Sequence, residues 1–291
     1  MRILVTGAGG FIGRSLCRAM AMRGDEVFAV LHRPVALSGV TPIVLDLAAP
    51  LDRARLPTRL DAIVHLAQSA RFREFPGGAR DMFEVNLRST CELLEFAREA
   101  GVRHYVYASS GGIYGQGARD FSDAEPVVMS EPLGFYLSTK LSAEILVENY
   151  TDLFATATLR IFFAYGPGQQ ADRLIPRLLD NVRHGRPITL DGEHGLAINP
   201  IFVDDVVEIV LRALGQSRSM KVNVAGTEVL TLRDIGDMLG ALAGRAPVYV
   251  NQPTRPSPRL VGDISALIAK LGYRPAIGFR DGAGRLADAM A

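Results

Sequence analysis

Short apolar runs and stretches of helical period alternate along the chain. Ile3 to Val5 is a compact apolar run suited to a fully buried parallel strand, and Ile12, Leu16, Ala19 and Met20 then repeat at helical spacing. Val27 to Leu31 forms a second apolar strand and closes a βαβ unit. Ile43–Leu45, Ala62–Ala67, His104–Ala108 and Ala155–Phe163 read as further strands. Between them Phe83–Glu99 is an amphipathic helix, with Phe83, Leu87, Cys91, Leu94 and Ala97 near helical spacing and Gly101 as its stop. Leu141, Ile145 and Leu146 mark another helix, and residues 69–81 read as a loop. Such alternation predicts an α/β protein with a parallel sheet covered on both faces.

At 291 residues the chain is long enough for one large α/β domain, or a domain with a small lobe. Its 32 Lys and Arg against 31 Asp and Glu provide no basic field for nucleic acid and no acidic tail. The two cysteines, Cys17 and Cys91, both fall in helical patterns and are expected to be buried thiols, as suits a reducing cytosol. A first strand from Arg2 leaves no room for a signal peptide, and no apolar run reaches membrane-spanning length, so a cytoplasmic protein is expected. The five histidines show no spacing with cysteines or paired carboxylates that makes a metal site, and His65, within an apolar run, reads as a core histidine.

The turn after the first strand carries Gly7, Gly9, Gly10 and Gly13. Glycines there permit a tight strand-to-helix turn and close approach of backbone to a pyrophosphate, which the helix N-terminus then attracts. The G-x-G-x-x-G spacing fails, because Ile12 stands five residues after Gly7. The spacing Thr6-Gly7-x-x-Gly10-x-x-Gly13 resembles instead the cofactor loop of short-chain dehydrogenases/reductases, with Phe11 and Ile12 inside it. A glycine-rich turn of another doubly wound fold is the alternative at this point. In nicotinamide-binding folds a carboxylate at the end of the second strand suits NAD(H) and a cation suits NADP(H). Aligned to the family pattern, Leu31 replaces the acid and His32-Arg33 follow, which favours NADP(H) over NAD(H), with a solvated loop cation as the bland alternative.

The fifth strand runs into Ser109-Ser110-Gly111-Gly112-Ile113-Tyr114-Gly115, at the sheet edge where open α/β folds bind ligands. Tyr136-Leu-Ser-Thr-Lys140 then opens a helix, and residues four apart share a helix face. A phenol with a reference pKa near 10 is a poor base at neutral pH, and a neighbouring ammonium lowers that value. Taken with the glycine loop, these residues resemble the extended short-chain dehydrogenase/reductase family, the group of nucleotide-sugar epimerases, dehydratases and reductases. The resemblance implies catalytic roles for Ser110, Tyr136 and Lys140, with Ser110 bonding the substrate oxygen and Tyr136 exchanging its proton. It places Asp46 and Leu47 near the adenine, Leu66 and Ala67 along the cofactor, and Asn86 as a support of the active-site backbone.

The same resemblance implies a doubly wound parallel Rossmann sheet with a smaller, interleaved C-terminal substrate lobe. Residues 1–165 would form the dinucleotide-binding domain and 166–291 mainly the lobe, with about 198–225 returning to the sheet. Leu159-Arg160-Ile-Phe-Phe-Ala-Tyr165-Gly166-Pro167 resembles the family's crossing into the lobe, with Phe163 where an Asn often touches substrate. Ser110, Gly111, Phe163, Arg177 and Arg255 are the candidate substrate contacts, and Asp204 is placed to cap a helix. Ile198 stands where many nucleotide-sugar enzymes have an Arg. Gly111 and Gly112 occupy the positions of the dehydratases' acidic pair, which argues against a dehydratase. The expected activity is NAD(P)-dependent sugar oxidation–reduction or epimerisation at a carbinol or ketone of a nucleotide-linked sugar, by a 4-keto reductase or 4-epimerase, in a homodimer. The alternatives are an NADPH-dependent reductase of a non-nucleotide ketone and a non-catalytic cofactor-binding sensor.

Overall fold

In chain order the elements are β1 (Arg2–Thr6), α1 (Phe11–Met22), β2 (Glu26–Leu31), β3 (Thr41–Val44), β4 (Ala62–His65) and α2 (Ala79–Phe83). A π-helical stretch, Glu84–Arg88, carries α2 directly into α3 (Ser89–Glu99). Next come β5 (His104–Ser110), α4 (Phe135–Glu148), β6 (Ala155–Ile161), β7 (Ala164–Tyr165), α5 (Leu174–His184), β8 (Pro187–Asp191), β9 (Ala197–Ile198) and β10 (Ile201–Phe202). α6 (Val203–Ala213), β11 (Met220–Val224), β12 (Leu230–Thr231), α7 (Leu232–Ala243), β13 (Val248–Gln252), β14 (Arg259–Leu260), α8 (Ser265–Leu271) and α9 (Phe279–Ala289) complete it. This computed structural model describes residues 1–115, 117, 119–127, 132–252 and 258–290.

The principal sheet has seven strands in the order β11-β6-β5-β4-β1-β2-β3. β1 pairs in parallel with β2 on one side and β4 on the other, so the strand order reverses at β1, the arrangement of a Rossmann fold. Ile3 to Thr6 and all of β4 are buried, as strands covered on both faces must be. Leu4, Ile63, Tyr105 and Tyr107 pack on one face with Leu93, Leu94 and Ala97 of α3 and Ala143 and Val147 of α4. The pleat sends Ile3 and Val5 to the other face.

The chain divides into two compact units, residues 1–113, 129–160 and 207–222 in one and 114–128, 161–206 and 223–291 in the other. The first holds nearly all of the seven-stranded sheet. In the second, two buried asparagines clamp loops: Asn199 Nδ2 donates to the carbonyls of Gly226 and Gly262 at 3.3 and 2.8 Å, and Asn223 Nδ2 to those of Phe121 and Asp263 at 2.8 and 3.2 Å.

Several expectations need correction. Cys91 is exposed, because the helix turns it off the buried stripe; only Cys17 is buried, and burial pushes its thiol up to about 11. Asp204 lies within the helix it is expected to cap: α6 already begins at Val203, and Asp204 is exposed 3.6 Å from Arg285. Asp205 has the structural role instead. It is buried and accepts bonds from the Tyr273 hydroxyl and from the Ala276 and Ile277 amides, the last two at 2.9 and 3.1 Å, tying the Leu271–Pro275 turn to α6. β6 stops at Ile161 rather than Phe163, whose φ of +42° is incompatible with an extended strand.

Candidate active site

The turn from β1 to α1 is built for close backbone approach. Gly7 has φ +67°, and a Cβ there would lie 2.8 Å from the Ala67 amide nitrogen. A Cβ on Gly13 would meet the Gly7 carbonyl oxygen at 2.2 Å. Gly10 opens α1 with no side-chain cap and no acidic residue in the first turn, whereas α7 has a capping box of Thr231 and Asp234. Donor groups at the start of α1, beside Phe11 and Ile12, are thus left for an external anion. These features fit the pyrophosphate of a dinucleotide at the carboxyl ends of β1 and β4. Arg14 closes the turn, its Nε donating to the Gly9 carbonyl at 2.8 Å.

The ends of the neighbouring strands supply the other candidate cofactor contacts. His32 and Arg33 are exposed, and His32 Nδ1 lies 3.6 Å from Asp46 Oδ1. The same Asp46 oxygen accepts the Ala48 amide at 2.9 Å. Leu47 is buried, with its carbonyl held by Arg88 at 3.1 Å. Leu66 and Ala67 are fastened to Thr6, through its carbonyl and its hydroxyl respectively, each at 3.3 Å.

A buried polar chain connects this turn to α4, and its hydrogen positions follow from donor capacity. Thr90 Oγ1 lies 2.7 Å from the Asn86 carbonyl, which can only accept, so Thr90 donates there. His65 Nε2, 2.9 Å from Thr90 Oγ1, must therefore donate, and Nδ1 must accept from Thr6 Oγ1 at 2.6 Å. His65 is neutral: burial, aided by the Lys140 charge, pushes it down to about 3. Asn86 Oδ1 accepts the Ser69 amide at 2.8 Å, and its Nδ2 donates to Thr139 Oγ1 at 2.9 Å. Thr139 in turn donates to the Tyr136 carbonyl at 2.7 Å. Asn86 lies within the π-helical stretch, a local departure from regular helix of a kind frequent at functional sites.

Tyr136 and Lys140 share one face of α4, and that helix is tied to the end of β5 at two points. Lys140 Nζ donates to the Ala108 carbonyl at 2.8 Å and lies 5.1 Å from the centre of the Tyr107 ring. A Cβ on Gly112 would lie 2.9 Å from a Leu137 methyl carbon, so the turn after Ser110 abuts α4 one residue beyond Tyr136. Ser110 Oγ accepts the Gly112 amide at 3.1 Å, which leaves its proton to donate elsewhere. Lys140 is only 2% exposed, and desolvation pushes it down to about 8 despite the opposing effect of Glu144. Glu144, one turn further along, is itself buried and forms a bidentate pair with buried Arg160. The Tyr136 hydroxyl donates to Gln68 Oε1 at 2.7 Å, and the Phe72 ring meets Tyr136 edge-on at 5.4 Å.

The first unit therefore brings together the glycine turn, Asn86, Ser110, Tyr136 and Lys140. Phe163 and Arg177 belong to the second unit: Phe163 is half-buried with its carbonyl accepting the Ile201 amide at 3.3 Å, and Arg177 is exposed on α5. Arg255 lies outside the described residues. Ile198 is fully buried, and Arg259, four residues beyond Arg255, pairs with Asp120. Gln68, Glu144 and Arg160 were missed as site residues. Glu144 had a readable signal, since Tyr136, Lys140 and Glu144 form a stripe of titratable residues at four-residue spacing along the helix.

The sequence model described as the NAD dependent epimerase/dehydratase family matches residues 3–225. The chain belongs to this family. It is 26% identical to a probable UDP-glucuronate 4-epimerase of Rhizobium meliloti over 99% of this chain and 96% of that one. It is 29% identical to a dTDP-4-dehydro-6-deoxy-D-allose reductase of a Streptomyces species, over 94% and 91% of the two chains. Identity to a 2-alkyl-3-oxoalkanoate reductase of Stenotrophomonas maltophilia is also 29%, over 96% of this chain and 79% of that one. In structure it is similar to UDP-glucuronic acid 4-epimerase from Bacillus cereus, solved with UDP-glucuronic acid and NAD, with a TM-score of 0.88, 25% identity, and 100% and 99% of the two chains covered. The chain is thus an extended short-chain dehydrogenase/reductase of epimerase and reductase type, with a Rossmann sheet. Among the described residues no helix is long and apolar enough to cross a membrane, and no cluster of His, Cys, Asp and Glu is arranged to hold a metal.

Proposed function

We propose that this enzyme oxidises or reduces a carbinol or ketone of a nucleotide-linked sugar, as a 4-epimerase or 4-keto reductase, with Ser110, Tyr136 and Lys140 as its catalytic set. The observation that carries the reading is the buried Lys140 ammonium on the Ala108 carbonyl, with Tyr136 one helical turn away and Ser110 at the end of the same strand. The Ser110 hydroxyl, its oxygen engaged by the Gly112 amide, donates to the substrate oxygen. Tyr136 gives that oxygen a proton in reduction and takes one in oxidation, and the charge on Lys140 favours the phenolate between the two events. The nicotinamide, when bound, supplies and accepts the hydride. Gly7, Gly10, Phe11, Ile12 and Gly13 would hold its pyrophosphate, and Asp46 and Leu47 its adenine end. The absence of an acid at Leu31 and the exposed Arg33 favour NADP(H) over NAD(H). Because the structural relative binds NAD, competitive binding of the two nucleotides is the measurement that separates them.

A side chain at Gly112 would press on Leu137, which disfavours a dehydratase's acidic residue there. A second reading, a reductase of a non-nucleotide ketone, is favoured by Phe163, by the buried Ile198 where many nucleotide-sugar enzymes place an Arg, and by the likeness to the oxoalkanoate reductase. A homodimer in the cytoplasm completes the proposal: the family resemblance implies pairing through the helical segments 83–99 and 138–154, on which Phe83, Ile145 and Leu153 are exposed, and Cys17 and Cys91 are free thiols.

The test is turnover of UDP-, dTDP-, GDP- and CDP-sugars with either cofactor, followed by NMR of the sugar and absorbance of the reduced nicotinamide. Tyr136→Phe should lower kcat by about 10²- to 10⁴-fold with cofactor binding retained. Turnover of 2-alkyl-3-oxoalkanoates alone would select the second reading. Cofactor binding with no turnover of either class would refute both.

A further inference from the structure

The Tyr136 hydroxyl donates to a side chain that the catalytic set does not include. Gln68 lies three residues beyond the end of β4 and accepts this bond on Oε1 at 2.7 Å. Both partners are indexed to one buried amide: Asn86 Oδ1 takes the Ser69 N–H, next to Gln68, while Asn86 Nδ2 reaches Thr139, which holds the Tyr136 carbonyl. Gln68 is exposed, and among the described residues its Nε2 makes no bond to protein. Rotation about the terminal torsion of the side chain, which exchanges Oε1 and Nε2 in place, therefore breaks no other hydrogen bond of the amide among the described residues.

We propose that Gln68 is a positioning residue for the reaction, whose amide carries the Tyr136 oxygen through both protonation states, accepting from the phenol and donating to the phenolate. The inference rests on the reading of Tyr136 as the proton donor and acceptor. In reduction the hydride's electron pair forms the new C–H bond at the carbonyl carbon, the C=O π pair moves onto the substrate oxygen, and the phenol O–H turns from Oε1 to that oxygen and breaks as its proton passes across. The phenolate left behind can no longer donate to Oε1, and the reoriented amide N–H replaces that bond with a charge-assisted one. Oxidation runs the same exchange backwards. Glutamine is suited to this because its two ends are nearly isosteric, one an acceptor and the other a donor.

The experiment compares wild type, Gln68→Met and Gln68→Glu in the full chain. Tyrosine labelled with ¹³C at Cζ reports the ionisation of each phenol, with the Tyr136 signal assigned from Tyr136→Phe. The other titratable groups on and around its helix (Lys140, Glu144, Tyr107, His65, Asp81 and the loop's Arg73) are identical in all three proteins, so differences belong to position 68. Loss of an N–H donor to the phenolate should raise the Tyr136 midpoint in Gln68→Met by roughly one to two pH units. Gln68→Glu, which places a carboxylate there, should raise it further. The basic limb or plateau of the pH–rate profile should move by the same amount, with turnover at neutral pH down by roughly tenfold or more. A downward shift in Gln68→Met would show an acceptor-only contact and overturn the proposal, as would an unchanged midpoint. Because the titration needs no substrate, the expected ordering without turnover would uphold Gln68's effect on the phenol and remove the proposed activity, whereas turnover without the ordering would do the reverse.

Discussion

Substitution Glu144→Gln tests whether the charge arrangement behind Lys140 is as the structure has it. Arg160 and Glu144 are 3% and 1% exposed, and they meet through Nε at 3.1 and 3.2 Å and Nη2 at 2.8 Å. Breaking a buried ion pair from one side leaves an uncompensated charge and costs about 3–5 kcal/mol. Glu144→Gln should therefore lower the urea-unfolding free energy by that amount. It should also push Lys140 below its position near 8, because Glu144 is the group that opposes desolvation there. The chain contains only three lysines, Lys140, Lys221 and Lys270, so reductive ¹³C-methylation yields few signals, and Lys140→Arg assigns the buried one. Should the single variant unfold, the double variant Glu144→Leu/Arg160→Met keeps the experiment decisive. Replacing both charges with apolar groups is near neutral for stability or favourable, yet still removes the counter-charge from Lys140. A Lys140 midpoint that stays near 8 or rises in the folded variants, or a cost in Glu144→Gln below about 1 kcal/mol, would refute the reasoning.

Two further outcomes follow from groups with different constraints. His65 is held near 3 in the fold against an ordinary 6.5, so between those values the unfolded chain binds a proton that the native state refuses. Stability should fall as pH drops through that window, by about 1.4 kcal/mol per unit from this residue, and His65→Asn should show a correspondingly shallower acid slope in urea unfolding; equal slopes would contradict the assignment. Phe163 is the non-glycine residue with positive φ among those described, at +42°, a conformation that costs a bulky side chain roughly 1–2 kcal/mol and that asparagine tolerates. Phe163→Asn should leave unfolding free energy unchanged or raise it by about 1 kcal/mol while altering substrate preference, and a loss above about 2 kcal/mol would show that packing outweighs the strain.

What could be read from the chain and what could not divide along the range of the interactions. The glycine turn was legible because a strand, a turn and a helix start are contiguous, and spacing alone reports where backbone must approach backbone. Tyr136 and Lys140 were legible because helical periodicity places residues four apart together. Glu144 extends the same stripe, but its partner Arg160 is on β6, and only the fold shows that the two are buried against each other. The Thr6–His65–Thr90–Asn86–Thr139 chain was invisible for the same reason: it joins β1, β4, α3, the π-helical stretch and α4, each link being ordinary in its own sequence context. Regular helical period also misled. It put Cys91 on the buried stripe of a uniform helix from Phe83, whereas the helical segment begins at Ala79 and changes register through Glu84–Arg88.

The π-helical register is what gives the site its coherence. A buried asparagine inside a helix would ordinarily spend its side chain against its own backbone or solvent. At position 86 it spans outward, taking the Ser69 amide on one side and the Thr139 hydroxyl on the other. Those two bonds fix the start of the loop that bears Gln68 and the turn of α4 that bears Tyr136. Through the Asn86 carbonyl, Thr90 and neutral His65, the same residue is coupled to Thr6 at the mouth of the glycine turn. Every member of this chain is uncharged and each hydroxyl is used as both donor and acceptor, so the desolvation cost of burying it is met without an ionised group. The buried charges that lie beside the proposed proton-transfer group are Lys140 and Glu144 on α4 and Arg160 on β6. On the proposed reading of Tyr136, the arrangement would separate two tasks that interfere if carried by the same residues, with neutral hydrogen bonds holding position and the buried charges setting acidity.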